Sequence, residues 1–155
     1  SVFSAHNLGY QGIYSTHLFP ATCVDWKDYY LAGFEDYDDM NFLKAGLQSA
    51  DIITTVSPTY AKEIQEAEGG FGLDGLLRVR SDVVKGILNG CDLETWNPKT
   101  DKLIPYNFDY KSMANKAKCK AELQKRMGLP VRPEVPLIGI VTRLADQKGV
   151  AEIIF

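Results

Sequence analysis

The chain has 155 residues, 45% of them hydrophobic and 24% charged, with a net charge of -3. That is the balance of an ordinary soluble domain, it disfavours nucleic acid as a main partner, and no apolar run approaches the roughly 18–20 residues of a membrane span. Cys23, Cys91 and Cys119 are odd in number and far apart, which gives neither a metal-ligand spacing nor a disulfide framework and fits a reducing compartment.

Residues 1–5 read as a strand that runs into His6-Asn7-Leu8-Gly9-Tyr10-Gln11-Gly12. His6 and Asn7 at a strand end can hydrogen-bond a sugar hydroxyl, and a neutral His can share developing charge. Taken alone, the pair reads more readily as a structural loop cap. Residues 13–40 mix seven aromatics with six acids and read as a loop with one short helix packed on the domain. Residues 41–50 predict a buried helix with Asn41 as its N-cap. The β-branched run 51–57 predicts a strand, and Ser57-Pro58 opens a helix to residue 65 with Ser57 as cap. Ser57 and Tyr60 could reach a ligand, but capping and packing explain them adequately.

The glycine-rich stretch 68–75 lacks a following Gly-Lys-Ser/Thr, so it is no triphosphate-binding loop. Arg78 and Arg80, just after it, read as surface residues. Residues 83–88 predict a strand that delivers Asn89-Gly90-Cys91-Asp92 to its C-terminal end, with Gly90 letting backbone approach a ligand. A turn-forming Asn-Gly with a structural Asp92 explains the same residues equally well. Trp96 reads as packing. Residues 110–127 predict a helix with six basic residues and one acid, Glu122, whose charges form a solvated face. Three prolines in 128–136 make a stiff connector and the best candidate boundary.

Residues 136–141 are apolar apart from Gly139, which reads as a strand buried on both faces. A polar loop with Arg143, Asp146, Gln147 and Lys148 follows, and residues 150–155 resume like a helix start. Strand, loop and helix make one βα unit, whose loop is where ligands bind in open α/β sheets. Arg143 is a fixed fork of donors and Lys148 a point charge, a pair suited to a phosphate; solvated surface charges account for them equally well.

Several of these strings occur in an order that resembles bacterial-type glycogen and starch synthases. They are His-Asn-Leu-x-Tyr-Gln-Gly, Val-Ser-Pro-Thr-Tyr-Ala, Asn-Gly-x-Asp with Trp-x-Pro, and Arg-Leu-x-x-Gln-Lys-Gly. Gly9 stands where that family usually has Ala, and Cys91 where it has Ile or Val. The resemblance is weakest over residues 13–40. It also matches a Gly-Leu-x-Gly turn before a short helix at 73–80.

The resemblance implies an α/β fold of the GT-B kind, with two Rossmann-like domains. Residues 1–127 would end the first, 128–135 would link, and 136–155 would begin the second. It implies transfer of glucose from ADP-glucose to an α-1,4-glucan acceptor with retention, without metal or other cofactor, in the cytoplasm or a plastid stroma. His6, Arg143 and Lys148 would be catalytic, and Asn7, Asn89, Arg143 and Lys148 would bind substrate. The family's Lys-x-Gly-Gly and C-terminal Glu motifs are not found here, so these 155 residues alone are expected to be an inactive, marginally stable piece. A non-catalytic glucan-binding relative, or a glycosyltransferase with another sugar donor, is the alternative.

Overall fold

The computed structural model describes residues 1–149. The helix start expected over 150–155 lies outside them. The chain divides into two compact units, Ser1–Gly90 and Cys91–Phe155.

In chain order the first unit holds β1 (Val2–Ala5), β2 (Ile13–Ser15), a 3-10 helix (Thr16–Thr22), α1 (Trp26–Leu31), β3 (Glu35–Asp36), β4 (Asp39–Asn41) and α2 (Phe42–Ser49). It continues with β5 (Ile52–Thr55), α3 (Pro58–Glu63), α4 (Ala67–Gly70), α5 (Asp74–Val79) and β6 (Val84–Gly86). Three strands form a parallel sheet in the order β1-β5-β6. Val2 faces Ile52 and Ala5 faces Thr55, while Ile53 faces Val84. Parallel neighbours need crossover connections, and α2 supplies the first while α3 to α5 supply the second.

Both expected caps form. The Asn41 side chain accepts from the Lys44 N–H at the head of α2, and the Ser57 side chain accepts from the Tyr60 N–H at the head of α3. Each satisfies a first-turn donor that the helix cannot satisfy itself. The core gathers Leu8, Leu47, Ile53, Ile64 and Leu77, all fully buried, between the sheet and these helices. Gly46 lets α2 lie close to β1: a Cβ there would meet the Phe3 ring.

Residues 13–40 are more ordered than a loop with one helix. β2, β4 and β3 form a second, antiparallel sheet. The β3–β4 turn places Tyr37 at φ 51° and Asp38 at φ 69°, the two positive values that a two-residue hairpin turn of type I′ requires. Phe19, Tyr29 and Met40 are buried beneath it. Phe19 meets Trp26 at 4.7 Å and Tyr29 at 4.8 Å between ring centroids, within the range of favourable aromatic pairs. The aromatics of this stretch therefore build a satellite core.

Arg80 is also not a simple surface residue. Its guanidinium donates to the Leu47, Gln48 and Ala50 carbonyls, so it caps the C-terminal end of α2, where free carbonyls and the helix dipole favour a cation. Arg78 is exposed and pairs with Asp74 at 2.7 Å.

The second unit holds α6 (Ala114–Arg126) and a 3-10 turn (Asp146–Lys148). α6 starts four residues later than expected because the Asp109 carboxylate accepts from the Lys111 N–H and Asp109 bridges Ser112, which closes a turn in place of a helical one. The proline-rich segment folds back on α6: Lys120 Nζ donates to the Pro133 carbonyl at 2.8 Å, and the Leu129 N–H to that of Gln124 at 2.8 Å. Residues 136–141 belong to no strand among the described residues. Ile138 is 82% exposed. An apolar run becomes a strand only where a neighbour supplies the ladder of hydrogen bonds, and none does so among the described residues.

Candidate functional site

Because β1, β5 and β6 run parallel, their C-terminal ends lie along one edge of the sheet. That edge opens into a cleft of about 280 Å³, lined by His6 from beyond β1, by Thr54, Thr55 and Val56 from the end of β5, and by residues 87–90 from beyond β6. His6 and Asn89, 83 positions apart in sequence (89 minus 6), are thus brought to a single cleft. Carboxyl ends of parallel strands are where open α/β sheets bind ligands.

The floor is polar and held in place. Ser4 Oγ and Thr54 Oγ1 are 2.7 Å apart, and Thr55 Oγ1 donates to the Ala5 carbonyl at 2.9 Å. The Ile87 N–H extends the β5–β6 ladder by donating to the Thr55 carbonyl at 2.8 Å. Gly86 sits where a Cβ would strike the backbone at Ser57 and Pro58. The absent side chain lets the β6 exit pass against the head of α3. Nothing in the local sequence marks that need, since it arises from packing of segments 28 residues apart (86 minus 58).

His6 is exposed at the start of a loop that is itself well anchored. Asn7 Oδ1 accepts from the Gly9 N–H at 2.9 Å, so Asn7 turns the loop. The Leu8 N–H donates to the Tyr60 hydroxyl at 3.2 Å. Gln11 bridges two directions: its Oε1 accepts from Asn41 Nδ2 at 2.7 Å, and its Nε2 donates to the Phe71 carbonyl at 2.8 Å. Tyr60, Gln11 and Asn41 were not singled out as site residues from the sequence. Their contribution lies in which backbone they hold, and only the tertiary structure specifies that.

After β6, Asp92 accepts from the Glu94 and Thr95 N–H groups at 3.1 and 2.9 Å. The Thr95 hydroxyl and then these N–H groups hold its carboxyl below its ordinary value of 3.8, because each bond favours the ionised form. Asp92 thus pins the turn that follows Asn89. Trp96, read from sequence as packing, is instead 79% exposed.

Arg143 and Lys148 lie together on one tight loop of the second unit, both exposed. The Ala145 N–H donates to the Arg143 carbonyl at 3.0 Å and the Lys148 N–H to that of Ala145 at 2.9 Å. Two cations held by so short a turn can face one phosphate group. Among the described residues no cluster of His, Cys, Asp or Glu could hold a metal ion, and no helix is long and apolar enough to cross a membrane.

A family model described as the starch synthase catalytic domain matches residues 1–79. The glycogen synthase of Treponema denticola is 53% identical over 153 residues, which is 99% of this chain and 31% of that protein. The glycogen synthase of an Anaeromyxobacter species is 50% identical over 149 residues, 96% of this chain and 31% of that protein. The chain therefore spans about a third of the length of the relatives it matches. Among solved structures, the catalytic domain of starch synthase IV from Arabidopsis thaliana, bound to ADP and acarbose, superposes with a TM-score of 0.85 at 38% identity. That match covers 98% of this chain and 32% of the other.

Proposed function

The chain belongs to the starch synthase catalytic domain family and has its α/β fold of the GT-B kind, and from that premise we propose that it is part of a retaining glucosyltransferase. The reaction is transfer of glucose from ADP-glucose to the non-reducing end of an α-1,4-glucan. In this reading residues 1–127 belong to an acceptor-side Rossmann-like domain, 128–135 to a linker and 136–155 to the nucleotide-sugar domain. The full-length protein is the active species.

The observation that carries the proposal is the convergence of His6 and Asn89 on one cleft at the carboxyl edge of a parallel sheet. The relatives named glycogen synthase support a glucan product, and the ADP held by the Arabidopsis neighbour supports an adenine nucleotide donor. Chemistry supplies the roles. As the bond from the sugar C1 to the diphosphate breaks, negative charge grows on the leaving ADP and positive charge on the glucosyl ring. Arg143 and Lys148 stabilise the first, and His6 and Asn89, together with Asn7, hold and stabilise the second. Interactions that strengthen as charge develops accelerate the reaction most. The two cations do for the diphosphate what a metal ion does elsewhere, and no cofactor is needed.

The test is to give the full-length protein a maltooligosaccharide primer with ADP-glucose or UDP-glucose and follow product anomers by NMR. The proposal expects α-1,4 extension by single glucose units, retained configuration and preference for ADP-glucose. Absence of transfer, inversion, or stronger turnover of a different sugar donor would each count against it.

A further inference from the structure

We infer that Tyr60 and Gln11 are positioning residues for this transfer, clamping the loop 6–12 so that His6 is presented to the cleft. The inference rests on the reading of the cleft given above. An imidazole on an exposed loop keeps one orientation only if the backbone beneath it is fixed, because each free torsion costs entropy to order at the moment of reaction.

Two fixings are present. At the near end, the N–H of Leu8, two residues after His6, donates to the Tyr60 hydroxyl at 3.2 Å, while the Leu8 side chain is fully buried. Tyr60 stands on α3, which starts from the strand end that forms the cleft floor. One hydroxyl thereby ties the exit of β1 to the exit of β5. At the far end, the Gln11 side chain joins the fully buried Asn41 to the Phe71 carbonyl. The Leu43 and Phe42 N–H groups at the head of α2 donate to the Gln11 and Gly12 carbonyls at 3.0 and 3.3 Å. The first turn of α2 thus meets part of its own hydrogen-bonding need with the loop, and the loop gains a rigid wall.

Neither Tyr60 nor Gln11 lines the cleft with His6. Their polar atoms hold backbone and side chains of the scaffold, so they act through the loop and not on substrate. A deficit in either would show in turnover more than in donor affinity, since a misplaced group loses transition-state contact first.

The experiment is a double-mutant cycle in the full-length enzyme with ADP-glucose and a glucan primer, each variant checked by thermal melting. Tyr60→Phe removes one hydroxyl and leaves the ring in place. It should lower kcat about five- to twentyfold with donor KM within about twofold. In a His6→Ala background the same change should cost less than about twofold, because the group it positions is gone. Gln11→Glu keeps an acceptor for Asn41 but no donor for the Phe71 carbonyl, and it should follow the same pattern. Turnover near wild type in folded Tyr60→Phe and Gln11→Glu, or an undiminished loss on the His6→Ala background, would overturn the inference. Those outcomes leave the cleft reading intact. If His6→Ala itself turned over like wild type, the cleft reading would fall and the positioning inference with it.

Discussion

Replacing Asn41 should reveal how much the site-bearing unit depends on one buried amide. Asn41 is fully buried, and its side chain makes three hydrogen bonds: 2.7 Å to Gln11, 2.9 Å to Asp36 and 2.9 Å from the Lys44 N–H. Loss of the cap to Lys44 costs about 1 kcal/mol. Loss of the two donors strands acceptors on Gln11 and Asp36, both half-buried, at about 1–2 kcal/mol together, since water can reach them in part. Asn41→Ala should therefore destabilise by about 2–3 kcal/mol. Asn41→Ser keeps a cap oxygen and should recover about 1 kcal/mol of that. Urea unfolding of the full-length protein, followed by far-UV circular dichroism, gives the differences from the midpoints if the slope is unchanged. An Asn41→Ala midpoint equivalent to less than about 0.5 kcal/mol, or identical midpoints for Ala and Ser, would refute this division between cap and network.

Two glycines should respond in opposite directions: Gly86→Ala drives a Cβ into the Ser57–Pro58 backbone and should destabilise by about 1–3 kcal/mol. Gly75→Ala, inside α5 with only an Arg78 nitrogen at 4.0 Å, should be neutral or stabilise by up to about 1 kcal/mol; the same unfolding assay checks both, and equal signs would contradict the packing described. Because the Asp92 carboxyl is held below its ordinary 3.8, its stabilising effect is complete above that value and lost as pH falls through the lower folded-state value. An NMR titration of its side-chain carboxyl should give a midpoint below 3.8, and the Thr95→Ala variant should bring that midpoint back towards it. Amide exchange should be slow at the Ile53 N–H, which is bonded within the central strand to the Val83 carbonyl, and fast over residues 138–141, which form no strand. Strong protection of 138–141 would reveal a ladder that the structure lacks.

What was readable in the sequence was what local chemistry decides. Asn41 and Ser57 were recognisable as caps because a cap bonds to an N–H two or three residues away. The β5 strand followed from a β-branched run, and the strand ends at His6 and Asn89 from short extended runs broken by polar loops. The small β2-β4-β3 sheet escaped because strands of two or three residues carry no period, and pairing alone defines them. Arg80 was misread because its partners belong to the far end of another helix. Residues 136–141 form no strand here because an apolar run carries a preference for burial and does not itself supply the neighbour to pair with. At the site, residue types and order were visible in sequence. The clamp of Tyr60 and Gln11 was not, since it joins positions 52 and 30–60 residues apart.

The most direct test of the account is the steady-state turnover of full-length Arg143→Ala and Lys148→Ala enzymes with ADP-glucose and a glucan primer. If the two cations stabilise the leaving diphosphate, each variant should fold normally and lose about 10²–10³-fold in kcat, more than its donor KM rises. Arg143→Lys should recover only part, since a point charge cannot replace a two-pronged donor. Folded variants that turn over within about threefold of wild type would make the loop ordinary surface and contradict the proposed mechanism.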